Sequence, residues 1–570
     1  SITNIGYNAF LNCSGLSSVI IPNSVITIGN GAFCGCSRLA SVTMPSSVMS
    51  IGDYAFSYCS ELSSIIIPGS VTEIRDSTFC GCSKLASVTI PASVTTIGKE
   101  AFSRCSGLES VIIPNSVTTI GYSAFEHCSG LKSVTIPNSV ITIGSSAFLF
   151  CSGLNSITLS NSVTVIESNT FTGCSNLTSV VIPNSVTTID RHAFWWCVRL
   201  ISVAIPNSVT GIGDGAFEYC KELTSVTIPN SVIIIGDSAF EDCSKLTYAN
   251  IPNSVTTIGE SAFKSCSNLR AINIPNSLTT ISDCTFSGCS ELTSVKIPDT
   301  VTTIGDGAFF NCSKLTSITI PDSVVKIGFN SFFGCSELTS ITIPKSVISI
   351  DEYAFNGCAK LSSITFDAVN CTYKGYNSAF KGCTNLTTLI IGAEVEIIPS
   401  NIFKYCSALK SVTIPDSVKT IGSGAFAQCT GLISISIPNN VTTIGDGAFY
   451  GCSGITSITL PNSVTDIGKY AFHGCSRLTS VTIPSSVSTI GYGAFENCSN
   501  LSTVTFNAIN CNIRSGFSIF DGCKLESTTF GEKVEIIPNN AFRGCTELTH
   551  ICIPDSTHTI GDGGFLDAQG

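Results

Sequence analysis

The sequence predicts a solenoid, a mainly-β or α/β repeat stack in which each 23-residue unit supplies one short parallel strand. Three observations predict it. A cysteine falls every 23 residues from Cys13 to Cys358, sixteen times in a row. The beat resumes from Cys383 to Cys498 and again at Cys523 and Cys545, with spacers of 25, 25 and 22 residues at the joins. Phe stands three residues before the next Cys or its equivalent place 25 times, from Phe10 to Phe565. A fixed period of this length marks a stack of small parts, each burying its apolar face against its neighbours.

A typical unit reads C-S-x-L-T-S-V-T-I-P-N-S-V-T-T-I-G-x-x-A-F-x-x, numbered here from Cys as position 0. Apolar residues at +3, +6 and +8, such as Leu223, Val226 and Ile228, alternate at their end in a β-branched run, which reads as a strand. Pro at +9 follows in nineteen units, Pro229 among them, and stops the strand because it donates no ladder hydrogen bond. The Asn-Ser pair after Pro reads as a turn. Apolar residues resume at +12, +15 and +20 (Val232, Ile235, Phe240), and Gly at +16, such as Gly236, is expected to supply a turn conformation that side chains resist. The phenylalanines read as core, each burial contributing about 1.5–3 kcal/mol.

The repeat argues for one continuous solenoid over residues 1–570, of 24 to 25 units. Two units depart from the pattern together. Residues 358–382 and 498–522 are each 25 long, lack the Pro, and carry T-F-D-A-V-N-C and T-F-N-A-I-N-C. Each precedes a unit containing V-E-I-I-P, at 395–399 and 534–538. The blocks lie 140 residues apart, so a six-unit cassette is duplicated, and each long unit reads as an inherited small surface bulge or, alternatively, as a loop inserted for a ligand. The chain opens in the back half of a unit and closes just after Phe565, so both ends read as open fragment ends without capping units.

Composition narrows the function. Only 12% of residues are charged and the net charge is −11, with no basic stripe, which argues against nucleic-acid binding. Hydrophobic residues make up 43%, yet Pro, Asn, Ser and Gly break every apolar run well short of the roughly 18 residues that span a bilayer. Of the 30 cysteines, 24 hold position 0 and read as reduced thiols buried in a ladder. The other six are Cys34, Cys80, Cys284, Cys371, Cys511 and Cys552, and the Cys34-Gly-Cys36 and Cys80-Gly-Cys82 pairs lack the further ligands a zinc site needs. None of the five histidines (His127, His192, His473, His550, His558) adjoins a nucleophile motif such as G-x-S-x-G. The G-D-G strings at 213–215, 305–307, 445–447 and 561–563 lack the spacing of calcium-binding rolls. No metal, cofactor or catalytic residue is expected.

The L-x-x-V-x-I strand, the P-x-S-V-x-x-I-G turn and the A-F-x-x-C ending resemble the BspA-like, treponemal-type leucine-rich repeats, over essentially the whole chain. The resemblance implies a right-handed leucine-rich-repeat superhelix, found in surface and secreted proteins with adhesive or host-binding roles, and it brings no catalytic residues. Positions +4, +5 and +7 of the strand are expected to face outward as a lawn of hydroxyls, since +5 is Ser in eighteen units. Departures from that lawn form the candidate binding face: Tyr248 and Asn250, then Arg270 and Asn273, then Lys296. Tyr and Arg are favoured binding anchors. Glu109 and Lys132 read as a surface ion pair, and Trp195-Trp196 as packing that fills a corner of the coil. Eight N-x-S/T sequons occur, including Asn176, Asn385 and Asn440. These features imply a non-enzymatic scaffold outside the cell or on its surface, adhesive, holding a protein or glycan partner such as extracellular matrix. The alternative is a self-assembling segment of a fibre or surface array.

Overall fold

The computed structural model describes residues 1–514 and 517–568. Among them there are 49 strands of two to four residues and no helix. The fold is therefore a β-solenoid. It divides into two compact bodies, Ser1–Leu278 with Thr285–Leu292, and Thr279–Cys284 with Thr293–Gly570.

Within each body every turn repeats the same path. Residues +5 to +7 form a strand, such as Ser133–Thr135, which pairs in parallel with Ser110–Ile112 before it and Ser156–Thr158 after it. In the first body ten such strands join from Ser64–Ile66 to Ala271–Asn273. Their burial alternates out–in–out, so +5 and +7 face solvent while +6 joins the core. The structure adds a second strand of two residues at +14 and +15, such as Thr119–Ile120, paired in register with Thr96–Ile97 and Thr142–Ile143. Its brevity hides it in sequence: T-T-I shows a single inward residue, too short for a period-2 pattern to register.

The core of one turn comprises Cys128, Leu131, Val134, Ile136, Val140, Ile143, Ala147 and Phe148, all buried. Each residue meets its own copy in the neighbouring turns. The phenylalanines stack nearly parallel, with centroids 5.4 Å apart for Phe125 and Phe148 and 5.0 Å for Phe10 and Phe33, an offset geometry that aromatic rings favour. The cysteines explain their own identity. Cys128 Sγ donates to the Phe102 carbonyl at 3.2 Å and Cys151 Sγ to that of Phe125 at 3.1 Å, a contact repeated along both bodies. Serines at +11 tie the opposite corner, as where Ser185 Oγ donates to the Val163 carbonyl at 2.6 Å.

The segment from +18 to +22 avoids helix by alternating its amides. Ser238, Phe240 and Asp242 donate to the next turn at 2.8 Å, whereas Glu241 and Cys243 donate back to Ser238 and Phe240. That alternation requires a left-handed backbone at both ends of the segment, where Ser238 has φ 53° and Asp242 has φ 57°. The expectation for Gly236 is thereby corrected. At Gly236 a Cβ would lie 2.5 Å from Asp214 Oδ1 and 2.6 Å from its amide nitrogen, so close backbone approach, not turn conformation, favours glycine here, although Arg75, Glu167 and Asp190 hold the same position in other turns.

The first long unit keeps the core and extrudes the surplus; the bulge expected in the second falls on residues 515 and 516, outside the described residues. Phe366 replaces the usual aliphatic at +8 and meets the ring column edge-on at Phe403, 5.6 Å away at 81°. Cys371 is buried nearby, and Tyr376 at the bulge is 88% exposed. Asn377 fastens the bulge by donating its amide to Glu352 Oε1 at 2.8 Å.

Three substitutions separate these roles. Phe125→Ala is expected to destabilise by about 3–5 kcal/mol in a denaturant titration. Gly236→Ala is expected to lose about 1–3 kcal/mol through overpacking. Asn at Gly451, a left-handed position that Asn311 and Asn497 occupy in other turns, changes stability by less than about 1 kcal/mol. Equal losses at the two glycines contradict the distinction.

Candidate binding face

The outward strand positions form rows running along each body. In the +4 row the hydroxyls are satisfied internally: Thr224 Oγ1 donates to the Ile201 carbonyl at 3.3 Å and Thr247 Oγ1 to that of Thr224 at 3.2 Å. Side chains that break the rows bring different chemistry to the face. Tyr248 is half exposed and lies between Ser225 and Ala271 in register, while Asn250 pairs with Asn273. Arg270 is exposed beside them, its amide donating to the Thr247 carbonyl at 3.1 Å. Asn273 Nδ2 is partly committed, donating to the Ile251 carbonyl at 2.9 Å. These four share one face of the first body. Lys296 is exposed on Ser294–Lys296 of the second body, in the strand pair with Ser317–Thr319.

Sequence reasoning missed a second set of residues. Ile20, Ile66, Ile112 and Val181 occupy +7, where most turns carry Thr, and are 77–80% exposed. Beside two of them lies a depression of about 910 Å³ lined by Ile112, Thr135, Thr158, Val181, Asn115 and Asn138. The signal was present as S-V-I-I-P and S-V-V-I-P in place of S-V-T-I-P, but it blends with the buried residues on either side.

Two expectations fail. Trp196 is 47% exposed rather than packed, lying parallel to the half-buried Trp195 at 5.4 Å with the Tyr219 ring perpendicular to it at 6.2 Å. Its left-handed backbone, φ 59°, turns the side chain off the coil. Among the described residues Glu109 and Lys132 form no ion pair; +4 side chains lie in parallel columns, and these two meet only through the Lys132 amide and Glu109 carbonyl. Ion pairs form instead at +2, with 2.7 Å between Lys84 and Glu61 and between Lys245 and Glu222.

Among the described residues, which include all thirty cysteines, no disulfide forms. Burial pushes the ladder thiols up, to about 12 at Cys151 and Cys289 and well above the ordinary value at Cys105 and Cys128. A thiol held protonated is a poor nucleophile and a poor metal ligand. Among the described residues no group of three or more His, Cys, Asp or Glu is placed to hold a metal ion. No helix among them is long and apolar enough to cross a membrane.

Six copies of a family model for the BspA type leucine rich repeat region match residues 3–131, 95–221, 187–316, 302–430, 396–517 and 512–569. The chain belongs to this family. A leucine-rich repeat protein from Bacteroides ovatus is 31% identical over 69% of this chain and 89% of its own, with a TM-score of 0.49. A leucine rich cell surface protein from Faecalibacterium prausnitzii is also 31% identical, over 54% of this chain and 87% of its own, with a TM-score of 0.36. A Treponema pallidum leucine rich repeat protein is 27% identical over 36% and 78% of the two chains, with a TM-score of 0.21. No curated protein matches.

The raised thiols of this BspA-type solenoid fix the sign of its alkaline behaviour. The unfolded chain loses thiol protons near pH 9 while Cys151 and Cys289 keep theirs to about 12, so stability is full below pH 9 and falls as pH rises toward 12. Each such thiol contributes about 1.4 kcal/mol per pH unit in that window. The melting temperature is expected to decline steeply between pH 9 and 11; a flat profile contradicts the ladder.

Proposed function

We propose that this chain is a non-enzymatic interaction scaffold displayed outside the cell, adhesive in role, that engages a protein partner through its strand face. The observation that carries the reading is the broken lawn of the first body. There, Ile20, Ile66, Ile112 and Val181 protrude at alternate or nearby turns, and Tyr248 with Arg270 add anchor side chains. Aliphatic knobs amid short hydroxyls suit a protein surface, because they bury apolar area and leave no charge to desolvate. Tyr and Arg are the side chains that carry binding energy most often. The family supports the surface location, since its Faecalibacterium relative is described as a cell surface protein. Lys296 joins the proposal by its repeat position alone.

A panel of purified extracellular-matrix proteins, immobilised and titrated with the full chain, tests the reading. Tyr248→Ala combined with Arg270→Ala is expected to weaken the tightest interaction at least tenfold, about 1.4 kcal/mol. Ile112→Lys is expected to do the same by placing an unpaired charge in the contact. Affinities unchanged by both variants remove the strand face from the account.

A further inference from the structure

The duplicated cassettes differ on the loop flank, away from the strand face. In the first copy lysines cover the tyrosines, and a depression of about 300 Å³ remains beside Lys404 and Tyr405. Lys381 Nζ lies 5.8 Å from the Tyr353 ring centre and 5.9 Å from that of Tyr405, and Lys404 Nζ lies 5.2 Å from Tyr405. In the second copy the corresponding residues are Gly493, Asp521 and Gly544, with Arg543 in place of Lys404. The backbone keeps its conformation, with φ 61° at both Tyr353 and Gly493, and 70° and 79° at Tyr405 and Gly544. At Gly493 the neighbours fill the place of the missing side chain, since a Cβ there would lie 2.5 Å from the Tyr470 ring and 2.6 Å from Glu496 Oε2; the open space borders Gly544.

What remains is a cavity of about 640 Å³, within the range of small-ligand sites. Tyr470, Tyr492 and Phe517 form one side, Tyr492 standing 4.9 Å from Tyr470 at 81° and 5.9 Å from Phe517 at 54°. Phe517 is 68% exposed. Glu496, Asp521, Asp567 and Arg543 line the rest. Among the described residues Arg543 forms no ion pair with the three carboxylates; Glu496 is partly engaged, its Oε1 lying 3.9 Å from His473 Nε2 and accepting from Asn497 Nδ2 at 3.5 Å, so a five-donor guanidinium and the two aspartates face the same space.

We propose that this cavity is a carbohydrate-binding site for a pyranose unit of a neutral oligosaccharide. A bound anion meets three carboxylates, and a bound cation meets Arg543. A sugar satisfies both, its hydroxyls donating to Glu496, Asp521 and Asp567 and accepting from Arg543, while its C–H face lies on Tyr492 or Phe517. The site is independent of the strand face.

Saturation-transfer NMR on the full chain with cellobiose, maltose, lactose and N,N′-diacetylchitobiose tests it. Transfer to the ring protons of at least one sugar is expected, and Arg543→Ala reduces it at least tenfold. Gly544→Tyr is expected to abolish it by restoring the residue that the same backbone carries as Tyr405. Tyr248→Ala leaves it unchanged. Silence from all four sugars, transfer that survives both cavity variants, or transfer lost with Tyr248→Ala overturns the site. Preferential binding of a trimethyl-lysine peptide also overturns it, in favour of a cation.

Discussion

Within each body, most repeat positions lie against their equivalents one turn before and one turn after. That constraint decides which residue types each position accepts. A position must tolerate contact with itself at 5.0–5.9 Å, the spacing seen between stacked phenylalanines. Phe satisfies it by offset stacking, Ser and Thr by donating to the carbonyl of the preceding turn, and Cys by donating a thiol hydrogen to a Phe carbonyl two segments back. Charge fails it: two like charges about 5 Å apart cost roughly 1 kcal/mol even in water, and more near protein. The low charged fraction follows, and so does the placing of Glu61 under Lys84 and Glu337 under Lys360.

The same constraint explains what the sequence makes legible. The inward residues Leu131, Val134, Ile136 and Phe148 could be read directly, because burial and identity repeat together. The second strand and the left-handed positions could not. Their requirement is on backbone geometry, and Ser238, Asp242, Tyr219 and Gly451 all meet it without sharing a side chain. Gly236 was misread for a related reason. Glycine serves both for left-handed turns and for close approach, and only the 2.5 Å separation from Asp214 distinguishes them.

The candidate site was legible where a residue stood out chemically, as Tyr248 and Arg270 do in a row of Ser and Thr. It was illegible where the departure mimicked the core. Ile66 beside Ile65 and Ile67 reads as one apolar run, though it points the opposite way and is 78% exposed. The loop-flank cavity was hidden more deeply, since it borders Gly544, whose counterpart in the first cassette is Tyr405. Scaffold and function thus separate: inward positions are held by self-contact, whereas strand face and loop flank are free to diverge.

The account stands on the claim that turns stack in register on their own copies, and a pair of internal deletions tests it most directly. Removing residues 128–150 deletes one whole unit and joins His127 to Cys151, so every column closes on an equivalent residue. Removing 128–149 leaves one residue too many and places each later side chain against the wrong neighbour. Hydrogen exchange across the join is expected to show native protection in the first protein and loss of protection in the turns flanking the join in the second. Equal protection in the two contradicts the claim.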